Sequence, residues 1–139
     1  MPVLVSLSAT PLSVDAHIAA VAHPAHGAVA TFIGVVRDHD PSVEGEVTHL
    51  EYSAHPDALA VLDEIVTEVE TAHEVVIALS HRTGLLAVGE VAIVAAAASA
   101  HRAEAFEACR EAVERVKAEL PVWKRELLAD GTHTWVGIA

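Results

Sequence analysis

An α+β fold, one domain over residues 1–139 with antiparallel strands and a C-terminal hairpin, is predicted by three observations. Short β-branched runs are bounded by Gly, Pro and Asp; longer segments repeat apolar residues every three or four positions; and the two kinds follow each other in mixed order with hairpin signals. Residues 3–7 (VLVSL) read as a strand. Ser13 then serves as an N-cap for a helix to about Val21, ended by Pro24 and Gly27. Residues 28–36 (AVATFIGVV) read as a strand that delivers Arg37 to the polar loop RDHDPSVEGE, and residues 47–53 return as another.

Pro56 fits a first helical position, and Leu59, Leu62, Ile65, Val66 and Val69 keep helical spacing to about Ala72. Residues 75–80 and 91–98 read as strands around RTGLLAVGE, a glycine-marked turn region. Ser99 is a suitable N-cap for the clearest helical pattern, whose stripe is Phe106, Cys109, Val113, Val116 and Leu120. Pro121 disfavours helical geometry at Leu120, after which ELLADGTHTWV reads as a hairpin around Asp130-Gly131.

Hydrophobic residues make up 53% and charged residues 20%, with no low-complexity tract, so neither a linker nor a disordered segment is expected. The longest apolar run, residues 91–98, falls well short of the ~20 residues of a membrane span, and the N-terminus lacks a basic-then-apolar leader. A cytoplasmic protein is the expectation, and a single cysteine, Cys109, fits a reducing compartment. The net charge of -12, from 20 acidic against 8 basic side chains, repels nucleic acid and anionic membrane. An anionic substrate would therefore need a local cationic pocket. All eight cations lie from Arg37 onward.

Their placement suggests where such a pocket would form. Four residues before Phe106, Arg102 extends the apolar stripe into the first turn, where free N–H groups favour a bound anion; the alternative is a solvated turn paired to a local carboxylate. Lys117 and Lys124 are the only lysines, with Pro121 between them. The break lets the chain fold Lys124 back toward Lys117, and a lysine crowded by cations or desolvated can act as general acid/base or nucleophile. Two solvated surface lysines are the plainer reading. Trp123, Trp135 and Phe32 are either core or an aromatic wall for a flat heterocycle. Cys109, on the core stripe, reads as a buried inert thiol, and His23 and His26 lack the companion cluster a metal site needs.

The segments FIGVVRDHD, LEYSAH, HRTGLLAVGE, SAHRAEAF, KAELPVWKRE and DGTHTWV, in order between Phe32 and Val136, together resemble the large, catalytic subunit of molybdopterin synthase. The resemblance implies an α/β hammerhead fold and a sulfurtransferase of molybdenum cofactor biosynthesis. In that family a homodimer binds two small ubiquitin-like sulfur-carrier subunits, making a heterotetramer. The carrier's C-terminal Gly-Gly thiocarboxylate supplies sulfur to cyclic pyranopterin monophosphate, giving the dithiolene of molybdopterin, with no metal or other cofactor in this step. Carried over by motif, Lys117 and Lys124 would be catalytic. Arg37, His101 and Arg102 would bind anion and substrate, and the segments Val35, Val36, Arg37 and Lys124, Arg125, Glu126 would line the pterin site. Lys124 is the first choice for acid/base or covalent assistance, with Lys117 as the second cation. Ser53 and His55 depart from the family pattern, which expects a glutamate and an aromatic there. The competing expectation is a non-catalytic module that binds an acidic C-terminal tail or a phosphate ligand.

Overall fold

The computed structural model describes residues 2–138. Two four-stranded sheets and three helices succeed one another as β1 (Leu4–Ser8), α1 (Val14–Ala20), β2 (Ala28–Val35), β3 (Val47–Ala54), α2 (Ala58–His73), β4 (Val76–Arg82), β5 (Gly84–Ala87), β6 (Val91–Ser99), α3 (Arg102–Glu119), β7 (Val122–Leu128) and β8 (His133–Ile138). The first sheet has the order β1-β4-β6-β2 and the second β5-β3-β7-β8. All pairings are antiparallel except β1 with β4. This is the α+β class the sequence predicts.

Ser13 caps α1 as expected, accepting a hydrogen bond from the Ala16 N–H at 3.1 Å. The alanine-rich β6 is a strand because both of its faces are covered. Ala95 and Ala97 pack into the main core with α2 and α3, while Ala96 and Ala98 pack with Val21 beyond α1 on the other side. Small side chains let backbone layers approach closely there. On α2, Leu62, Ile65, Val66 and Val69 are fully buried, each contributing about 1.5–3 kcal/mol of hydrophobic stabilisation.

Four local expectations are corrected. Ser99 is the last residue of β6, paired with Ala28 and buried; the N-cap of α3 is His101, which makes no side-chain cap bond. Strand pairing to β2 thus takes the serine before the helix can. Pro56 stands two residues ahead of α2, which starts at Ala58 after Asp57. Within RTGLLAVGE, Gly84–Ala87 forms a strand on the free edge of β3, because the register sets Leu86, which is fully buried, opposite Leu50. Finally, the buried stripe of α3 is Ala105, Ala108, Cys109, Ala112, Val113 and Val116; Phe106 is 66% exposed. Alanine carries half of that face, so the bulkiest residue misled the phase by one position.

The final hairpin turns at Asp130-Gly131 as read from the sequence. Gly131 has φ 87°, a backbone angle that favours glycine, and Asp130 Oδ1 accepts from the N–H and O–H of Thr132 at 2.9 and 2.6 Å.

Candidate functional site

Strand alternation decides which side of the second sheet carries chemistry. On β7, Val122, Lys124 and Glu126 share one face and Trp123 and Arg125 the other, since successive side chains point to opposite faces. The β3 register sets Tyr52 opposite Lys124 and Leu50 opposite Glu126 on the inner face, and Glu51 opposite Arg125 on the outer. Those four inner residues line a recess of about 200 Å³ together with Val35, Arg37, His39, Asp40 and Lys117. Val35 ends β2, the next three come from the loop that follows it, and Lys117 comes from the last turn of α3.

The break at Pro121 is what joins the lysines. The Leu120 N–H still closes the helix on Val116 O at 3.0 Å, Leu120 itself is extended and buried, and β7 begins at Val122. A second, smaller cavity of about 70 Å³ shares Val35, Tyr52, Lys117 and Lys124 and adds His81 from β4. His81 is buried, its Nδ1–H donates to the Arg82 carbonyl at 2.7 Å, and its ring meets the Tyr52 ring edge-on at 4.9 Å. Burial, and then the nearby Lys117 charge, pull its basicity below the usual histidine value. The imidazole is therefore neutral, with Nε2 left as an acceptor.

The recess gathers three cations, Arg37, Lys117 and Lys124, in a chain whose net charge is strongly negative. Its two carboxyls differ. Asp40 is held well below the usual carboxylate range by hydrogen bonding to Glu126 and then to the N–H and O–H of Ser42, which donate to its Oδ1 at 2.9 and 2.8 Å. Glu126 is 2% exposed, and burial followed by the Asp40 contact pushes its carboxyl up to about 7. Burial, with Glu126 beside it, likewise pushes the Tyr52 phenol up to about 12.

The remaining expected site residues lie elsewhere. His101 and Arg102 line a separate recess of about 550 Å³ with Gly27, Ala28, Ala100, Ala103 and Glu104. Arg102 is exposed because the buried face of α3 is one position out of step with Phe106. Val36 is buried in the core, where its N–H donates to Glu90 O at 3.0 Å, and it does not line the recess. Arg125 faces outward, paired with Glu51 at 2.7 Å and lying over the Trp135 ring at 5.7 Å. Trp123 and Trp135 are 38% and 56% exposed, neither core nor wall; the aromatic of the recess is Tyr52. Phe32 lines an apolar groove against α3. Ser53 and His55 lie away from the recess, His55 near Trp123, so their departure from the family pattern leaves the cations in place. Cys109 is buried and its thiol is pushed up by burial, as an inert core thiol would be.

Tyr52, His39, Asp40 and His81 were not singled out from sequence. A signal existed for Tyr52, since Leu50 and Tyr52 are two apart in a strand whose inner face must pack.

The titrations in the recess give a testable pH dependence. Glu126 keeps its proton in the folded state to about 7, whereas the unfolded chain releases it near 4.5, so this group lowers stability as pH rises through that window. His81 acts oppositely: below its ordinary value of 6.5 the unfolded chain takes up a proton that the folded one resists, so stability falls as pH drops. Between about pH 5 and 7, Glu126→Gln removes the first effect and leaves that of His81; Asp40 and Tyr52, which Glu126 also touches, titrate outside that window. In urea unfolding, the stability of this variant relative to wild type should fall between about pH 7 and about pH 5, because the wild-type penalty vanishes there. A difference that stays flat across the range contradicts the assignment.

Comparison with known proteins identifies the family and the fold. A family model described as MoaE protein matches residues 7–119. The molybdopterin synthase catalytic subunit 1 of Mycobacterium tuberculosis is 43% identical over 133 residues, which are 94% of this chain and 88% of that one. The X-ray structure of molybdopterin synthase from Staphylococcus aureus superposes with a TM-score of 0.87 at 29% identity, covering 94% of this chain and 95% of that chain. A complex of subunits 1 and 2 of the molybdopterin-converting factor from Helicobacter pylori has a chain of the same fold, with a TM-score of 0.75 at 19% identity, covering 95% and 89%.

Proposed function

Because this chain belongs to the MoaE protein family, we propose that its lysine recess is where sulfur passes from a carrier protein's C-terminal thiocarboxylate to cyclic pyranopterin monophosphate. The chain acts as the catalytic subunit of a molybdopterin synthase, and the product is the dithiolene of molybdopterin. The observation that carries this reading is the meeting of Arg37, Lys117 and Lys124 around Tyr52 in one recess, although they are far apart in the sequence. Both reactants are anions, and charge-assisted hydrogen bonds from ammonium and guanidinium groups hold such oxygens and sulfurs well.

Lys124 faces the reacting carbon as acid/base or covalent helper, and Lys117 holds the thiocarboxylate. Arg37, at the rim, takes the phosphate. Tyr52 offers the pterin a flat apolar face, and Val35 narrows the opening. The carrier is a small ubiquitin-like subunit, and two copies of each chain form the heterotetramer. Within the homodimer the His101 and Arg102 recess of one protomer can serve the lysine recess of its partner, which accounts for their separation in a single chain. The reaction belongs in the cytoplasm; no helix among the described residues is long and apolar enough to cross a membrane.

Mixing the purified chain with a thiocarboxylated carrier and cyclic pyranopterin monophosphate should yield the dithiolene product. Tight binding of the carrier tail without turnover, where an established synthase turns over, would support a binding module instead.

A further inference from the structure

Glu126 is the one acidic side chain that is wholly buried among the described residues, and its Oε1 has no hydrogen-bond partner among them. It lines the recess from the inner face of β7. Asp40 lines the same recess in contact with it, partly exposed in the loop after β2, with Oδ1 already occupied by both donors of Ser42. Two carboxylates offer each other only acceptors, so their contact is a hydrogen bond only when one carries a proton. The two Ser42 donors stabilise Asp40 as the anion, and burial favours the neutral form of Glu126. The other groups facing Glu126 are Arg37 from the same loop, Lys124 from its own strand and Tyr52 from β3, while His39 and Lys117 complete the lining. Tyr52 holds its proton too firmly to exchange it near neutrality.

We propose that Asp40 and Glu126 form a carboxyl pair sharing one proton, with Glu126 as the proton donor to the oxygen displaced when sulfur bonds to carbon and Asp40 as its positioning partner. This rests on the sulfur-transfer reading of the recess. As the thiocarboxylate sulfur bonds to carbon, it stays joined to the carrier as a thioester that water later cleaves to the carrier carboxylate; the C–O bond breaks, and the departing oxygen keeps the bonding electron pair and takes the proton of Glu126. The resulting carboxylate is stabilised by Lys124 and Arg37, and water at the rim returns a proton by way of Asp40. The pair thus supplies acid inside a recess whose cations would otherwise favour loss of protons.

The test uses the full chain labelled with ¹³C at glutamate carboxyls, with Glu126 identified by its absence in Glu126→Gln. Its carboxyl should titrate near neutrality in the wild type. Asp40→Asn, at the partly exposed member, should weaken its proton affinity about tenfold, the equivalent of about one pH unit. In steady-state turnover, the alkaline limb of the kcat profile should move down in pH by the same amount in Asp40→Asn. An ordinary carboxylate midpoint in the wild type, or one that Asp40→Asn leaves in place, overturns the pair. Should the titration behave as expected while no dithiolene forms, the donor role falls with the sulfur-transfer reading; should dithiolene form while the midpoint does not move, the pair alone falls.

Discussion

Lys124→Ala should lower the rate of dithiolene formation by about 10²–10⁴-fold, the usual loss when a positioned acid/base group is removed. The effect should appear in kcat more than in KM, because Arg37 and Lys117, the anion-holding cations of the proposed site, remain in the recess. Lys124→Arg sharpens the point. It keeps a positive charge opposite Tyr52 but cannot release a proton near neutrality, so it should bind both reactants and still turn over poorly. If arginine restores most of the rate, Lys124 acts only as a charge. Lys117→Ala should instead raise KM for the carrier, since that side chain approaches from α3 rather than from the strand floor. Single-turnover measurements separate the two.

Leu120→Ala carries the largest expected cost to stability, about 2–5 kcal/mol, as truncating a fully buried leucine leaves a cavity that the surroundings only partly close. The position matters beyond the cavity. Leu120 lies at the junction where α3 ends and β7 begins, between the two segments that bring Lys117 and Lys124 to one recess. Urea unfolding should show a lower midpoint with an unchanged slope. At a temperature where the variant is still folded, activity should fall as well, through looser placement of the lysines. Leu62→Ala, equally buried on α2 but outside the recess lining, should match the loss of stability without that loss of rate per folded molecule.

The sequence made the lysine pair legible because a proline between two rare residues forces one strand and one helix to share an end. It also made the α+β class legible, through β-branched runs and two helical patterns. What it hid depends on long-range register. Tyr52 reaches the recess only because β3 pairs with β7 so that Tyr52 faces Lys124, and no local pattern states that pairing. The same register turns Arg125 outward onto Glu51, which motif matching alone assigned to the site. The resemblance assigns Glu126 to the site lining, but its burial is tertiary: nothing in KRELL states that β3 and the Arg37 loop close around it. Phe106 failed for a simpler reason, since an alanine-rich helix presents its packed face through its smallest residues.

The most direct test of the central claim, that one recess of this chain holds the reactants, is a crystal structure with cyclic pyranopterin monophosphate bound. Density for the pterin against Tyr52, with its phosphate oxygens within hydrogen-bond distance of Arg37 or the two lysines, is the expected result. Density confined to a surface that touches none of Arg37, Lys117 and Lys124, on either protomer, would contradict it.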